Sequence, residues 1–353
     1  MKKIYVAIII LGCLGCSLYA MEEPELHVAA RAGDIAKVRS LLDGDAYVNA
    51  SDNWGGTALH EASEKGHRDV VELILDRGGD IHEMNNLRQT PLHCAAENGH
   101  CNIVALLLNH GANMNAIDCR GNLPLHDASF GGHCDVVELF LDCGADLNAK
   151  NRRGERPLHC ATRNNNRLGV LKFLLDCGAE VNAVDCNLRT PLHVASTMGY
   201  PSVVKFLLEH NADVYAMNSN GDTSLHDSIF SLWECCDVVE LLLDRGAEVN
   251  KENSNRVTPL HYAATKGYLK VIRLLLDRGA DPAAQDNHGR RPSDTDHIKA
   301  EIQQLLLDEI KKRAITIALS LETMGMHYDA IKEVLFRFDP TYRRREQEYK
   351  ESQ

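Results

Sequence analysis

The chain has 353 residues, 44% apolar and 25% charged, the proportions of a soluble folded protein and not of a disordered or multi-span membrane chain. Its formal charge of -12 disfavours generic nucleic-acid binding, because an acidic surface repels the phosphate backbone. Aromatic residues are sparse at 5%, which suits a core of Leu, Val, Ile and Ala between short, closely packed helices.

Residues 1–20 differ from all that follow. Lys2 and Lys3 precede an apolar run from Ile4 to Leu14, and Ala20 stands before the acidic start Met21, Glu22, Glu23. This pattern reads as a secretory signal peptide cleaved after Ala20, and therefore as an exported chain, secreted or periplasmic. Ile10, Leu11, Gly12, Cys13 offers a second reading, a lipobox that would anchor a surface structural protein through Cys13. The short leader is of bacterial kind, which is compatible with delivery into a host cell. A leader or lipid would be the sole link to a membrane.

From residue 24 the chain repeats. Leu-His recurs at His27, His60, His93, His126, His159, His193, His226 and His261, and that spacing of about 33 residues marks a stacked solenoid in which each unit buries its apolar face against its neighbours. In one unit, Thr90 caps a first helix with Pro91 at its first position, and Leu92, Ala95 and Ala96 form the stripe facing the stack. Gly99 ends that helix. Ile103, Val104, Leu107 and Leu108 give the second helix its buried face, Gly111 stops it, and Asn113 to Arg120 turns outward as a hairpin. Asn211 stands in for the glycine that elsewhere ends the second helix, as the next residue best suited to the left-handed conformation. Extra residues at Asn164–Asn166 and within Ile229–Cys236 are expected to bulge the turn between helices.

The unit resembles the ankyrin repeat, on the Thr-Pro-Leu-His signature at Thr90, Thr190 and Thr258 and its Thr-Ala-Leu-His variant at Thr57. The resemblance covers about Pro24 to Asp308. It implies an all-α solenoid with short β-hairpin loops over residues 24–309, followed by a short helical extension, residues 310–353. Pro24–Ala50 and a degenerate ninth unit from Arg291 are expected to cap the ends with polar faces. The tail is expected to form two helices separated at Met324 and Gly325, either docked on the last unit or recruiting a second partner.

The repeat histidines lie ~8–10 Å apart in adjacent units, too far to share one ion, so each is expected to bond polar groups of the neighbouring loop. Ten cysteines remain after the leader, in repeat-locked slots spaced beyond disulfide reach, and are expected to be reduced; Cys94 and Cys160 read as small core residues. Ten reduced thiols point to a reducing destination. With no phosphate loop, nucleophile elbow or zinc-protease helix, neither enzyme activity nor a cofactor or metal is expected.

Function is therefore expected on a surface. The resemblance implies binding of another protein through loop tips and the exposed face of the first helices. The matching positions include Trp54, Leu87, Arg120, Phe130, Arg152, Arg153, Arg163, Arg189, Met198 and Phe230. Two features distinguish them. Arg120, Lys150, Arg152, Arg153, Arg156, Arg163, Arg167 and Arg189 form a basic group in an acidic chain, suited to carboxylates of a partner's acidic segment. Trp54, Leu87, Phe130, Met198 and Phe230 are apolar where polar residues are usual, and are candidate hot spots. The protein is expected to act as a monomer.

Overall fold

The computed structural model describes residues 24–165, 168–230, 235–294 and 300–323. The leader, Arg167 and the tail beyond residue 323 lie outside them. Contacts divide the chain into two compact units, Met1–Cys119 and Arg120–Gln353. The first contains helix pairs 25–32/35–43, 58–65/68–76 and 91–98/101–109. The second contains 124–131/134–142, 157–161/168–176, 191–198/201–209, 224–230/236–244 and 259–266/269–277. Within each unit, first helices pack on first helices and second helices on second helices.

The cause lies in the local sequence. Thr90, Thr190 and Thr258 sit in extended backbone before a proline at the first helical position, where its missing N–H leaves no bond unmade. The first helices then bury an alanine-rich stripe, Leu92, Ala95 and Ala96 in one repeat, Leu260, Ala263 and Ala264 in another. Small side chains there let adjacent helices approach closely. Second helices bury branched residues, such as Ile103, Val104 and Leu107, or Val203, Val204 and Leu207. Leu106 is the fourth buried residue of the helix 101–109, while Leu108 is only half-buried.

The repeat histidines join the repeats. In the first unit, the Nε2–H groups of His27 and His60 donate to the carbonyls of Gly56 and Gln89, both at 3.0 Å. In the second, those of His126, His159, His193, His226 and His261 donate to Glu155, Arg189, Asp222, Val257 and Arg290 over 3.1–3.2 Å. Each Nδ1 from His60 onward accepts the N–H of the residue three before it, as His193 does from Thr190 at 3.2 Å. Both nitrogens are committed, which fixes one neutral tautomer. His27 is the exception, because Pro24 occupies its cap position without an N–H and Nδ1 is left unbonded.

Burial disfavours the charged form of five of these rings. It lowers His60 and His193 to about 4 and moves His159, His226 and His261 in the same direction. A second histidine set, absent from the sequence reading, follows the glycine that ends the first helix. His67 and His100 donate through Nε2 to the carbonyls of Arg31 and Glu64 at 3.0 and 2.9 Å. Their rings lie where a Cβ on Gly33 or Gly66 would stand, 2.6 and 2.7 Å away, so those glycines are required for space as well as for their positive φ.

The loops correct one expectation. They project as hairpins, yet among the described residues the sole strand-like pairing is a bridge between Met217 and Thr223. Asn and Asp side chains take the backbone bonds instead. Asn151, Asp185, Asn218 and Asn253 each accept two backbone N–H groups, two and four residues on. Successive tips are then tied by single backbone bonds. Trp54 and Leu87 carbonyls accept from Asn86 and Cys119 in the first unit. In the second, Arg120, Arg153, Asn187, Asn220 and Asn255 accept from Arg152, Cys186, Ser219, Ser254 and Asn287 at 2.8–3.1 Å.

The ten cysteines are thiols, with no disulfide among them, and Cys94 and Cys160 are buried. Asn211 takes φ of 63°. At the first insertion the helix of residues 157–161 is cut to five residues, and Thr162 to Asn165 form the turn; the core of the second lies outside the described residues. The ninth unit opens with a single 3-10 turn, Pro292–Asp294. One helix, Ala300–Thr323, then carries both the expected second helix of that unit and the start of the tail, so the boundary expected at 309/310 falls inside a helix. Ile302, Leu306 and Ile310 are buried, and Arg313 donates to the carbonyl of Leu276 at 3.3 Å. The early tail is thus docked on the last repeat.

Candidate functional site

The loop tips and first helices of the second unit carry most of the candidate residues. Arg120, Arg152 and Arg153 lie on tips, exposed, with the Arg120 carbonyl accepting from the Arg152 N–H at 3.1 Å. Asn151 buries its side chain beneath them. Its Oδ1 holds the Arg153 and Glu155 N–H groups, and its amide donates to Asn122 at 2.8 Å and to the Glu155 carboxylate at 3.0 Å.

Arg163, Arg156 and Arg189 are engaged within the chain. Arg163 donates to the Glu155 carboxylate. Burial alone would raise Glu155, but the Asn151 amide and the Arg163 guanidinium outweigh it and hold the carboxyl below its usual range. Arg156 bridges away from the tips, donating to Glu180 at 2.7 Å and Asn148 at 3.2 Å. Arg189 donates to Thr197 at 3.1 Å and places its Nε 3.9 Å from Asp227 Oδ2. The structure therefore brings together Arg152, Arg153 and Arg163 on one repeat. It does not make a single free cluster of the eight basic residues.

Asp227 is not among the candidate residues read from the sequence. Burial is the main influence, and with Asp222 and Asp185 it prevails over Arg189, so this carboxyl is pushed up to about 7. Next to it, Tyr262 donates to Asp222 at 3.3 Å, and Asn253 donates to the same oxygen at 2.7 Å. Burial and the Asp222 carboxylate push the Tyr262 phenol up to about 12.

The apolar candidates are mixed. Phe230 is 57% exposed, meets Tyr262 edge-on with ring centres 5.9 Å apart, and lies under Lys266 Nζ at 4.6 Å. That ammonium already occupies one face of the ring. Phe130 is exposed, whereas Met198 is half-buried. In the first unit, Trp54 is 67% exposed and Leu87 is exposed beside it in register, on tips joined through Asn86.

A family model of ankyrin repeats in three copies matches residues 14–85, 77–151, 125–218, 158–253 and 215–286. No curated protein matches the sequence. No helix among the described residues is long and apolar enough to cross a membrane. Proteins of this repeat type generally bind other proteins and typically serve as non-catalytic interaction scaffolds. Helix pairs, histidine bonds between repeats and matches spanning most of the length lead to one conclusion: the chain belongs to the ankyrin repeat family.

Proposed function

We propose that this protein is an exported interaction scaffold whose second unit captures an acidic segment of a partner protein. Arg152 and Arg153 present the charge, Arg163 is held in place by Glu155, and Arg120 and Arg189 flank them. Phe130, Met198 and Phe230 add apolar contact, and Trp54 and Leu87 offer tips of the same kind in the first unit. The single observation that carries the reading is the exposed Arg152–Arg153 tip beside an oriented Arg163 in a chain of net charge -12. Arginine forks match carboxylates with paired hydrogen bonds, and exposed ones lose little hydration before a partner arrives.

Export rests on Lys2, Lys3, the apolar run and Ala20, and the reduced cysteines favour a reducing destination such as a host cytosol. The test is affinity purification from the target compartment with wild type and with R152E/R153E/R163E. Loss of one captured protein is expected, and an unchanged set would dispose of the reading. Mass analysis of the mature N-terminus checks the leader, with Met21 expected first.

A further inference from the structure

Lys150, Val184 and Met217 occupy one slot in three consecutive loops of the second unit, each nine residues before its repeat histidine. All three are exposed, Val184 at 40% and Met217 at 48%. Backbone bonds hold these loops side by side, Cys186 N–H to Arg153 at 2.9 Å and Ser219 N–H to Asn187 at 2.8 Å. At the middle tip stands Leu188, with φ of 56° and half its surface in water. The same position is glycine in the flanking loops, Gly154 and Gly221, also at positive φ. A leucine there costs about 1 kcal/mol of backbone strain, and its exposed half returns little of that through burial. The next loop ends the apolar row, since Glu252 in the same slot is ion-paired with Arg256 at 3.1 Å.

We propose that these three loops bind an extended protein segment carrying one acidic and two apolar residues at three-residue steps. The acidic residue meets Lys150 and Arg153, the first apolar residue meets Val184 and Leu188, and the second meets Met217. Spacing supplies the step: adjacent repeats stack ~8–10 Å apart, about three residues of extended chain at ~3.3 Å each. Charge supplies the order, because the row is cationic at one end and apolar beyond it. This deepens the reading above and rests on its acidic segment.

The test is selection of random displayed dodecamers on the full chain, followed by binding of the enriched peptides to K150E/R153E and to V184S/L188G/M217S. Enriched peptides with the acidic and apolar residues in three-residue steps, bound at least tenfold more weakly by both variants, are the expected result. L188G alone controls for folding, since glycine is native at that position in the flanking loops. Its thermal melt should match wild type or exceed it, while peptide binding weakens. Acidic peptides indifferent to V184S/L188G/M217S would overturn this inference and leave the acidic-segment reading standing. Enrichment without acidic residues, or none at all, would overturn both. Pelleting with phosphatidylserine vesicles, or self-association in sedimentation that V184S/L188G/M217S abolishes, would assign the row to lipid or to a second copy and also overturn it.

Discussion

The histidine seam and the tips of the second unit are built from the same repeat, yet they spend their polar groups in opposite ways. Along the seam from His60 onward, Nδ1 takes a cap N–H and, wherever the bond to the next repeat is visible, Nε2–H reaches one of its carbonyls, whether the cap residue is Thr190, Leu123 or Arg156. At the tips, residues in one slot range from Arg153 to Asn187 to Asn220, while the backbone bonds between tips stay the same. The comparison teaches that bonds repeated along each unit hold that unit's helix pairs together, and that departures from register mark where the protein can act.

The seam should break with the largest effect. His193→Ala orphans the Asp222 carbonyl and the Thr190 N–H inside the stack, a loss of about 3 kcal/mol in urea unfolding, and leaves partner capture intact wherever the stack stays folded. Acid attacks the same bonds. His60 and His193 sit at about 4 when folded against 6.5 when unfolded, so their contribution is complete above 6.5 and is lost as pH falls toward 4. Each should add a slope of about 1.4 kcal/mol per pH unit in that window, measurable as a falling urea midpoint.

Asp227 sharpens the contrast, because its pH dependence has the opposite sign. Its carboxyl is raised from 3.8 to about 7, so the stability it contributes is present below 4 and is lost as pH rises through 7. Asp227→Asn should therefore stabilise the protein at pH 8, by about 2 kcal/mol, and by much less at pH 5. Equal gains at both values would mean that burial is not what perturbs the group. The smallest effect belongs to Leu188→Gly, where relief of strain, about 1 kcal/mol, is partly offset by the freer unfolded chain. No loss of melting temperature is expected.

Much of the fold was legible in the sequence because repetition averages out local ambiguity. Eight Leu-His pairs gave the period, Thr-Pro gave the helix starts, and Asn211 could be read as a left-handed residue from chemistry alone. The role of the repeat histidine followed from distance, and the bonds fell on the neighbouring loop. Two things stayed hidden. The loops looked like hairpins, but Asn and Asp at fixed places satisfy the backbone from their own side chains, so regular strands are not needed. The change of composition near residue 309 looked like a boundary, but no Gly or Pro interrupts Ala300–Thr323, and nothing stops the helix.

The site was harder to read than the fold. Arg163 and Arg189 look like free cations in the sequence, since Glu155 and Asp227 are remote enough in the chain to hide the pairing. Leu188 and Val184 gave no signal at all, because a leucine in a leucine-rich chain reads as core until its φ and exposure are known. The Gly-His dipeptides at His67 and His100 did carry a signal, a second histidine register that was there to be counted.

The most direct test sets the two regions against each other in one experiment: urea unfolding and partner capture measured side by side for His193→Ala and for R152E/R153E. The account predicts a crossed result, with His193→Ala losing about 3 kcal/mol while still capturing the partner, and R152E/R153E unfolding like wild type while capturing none. Capture that survives R152E/R153E, or that declines only in proportion to lost stability, would contradict it.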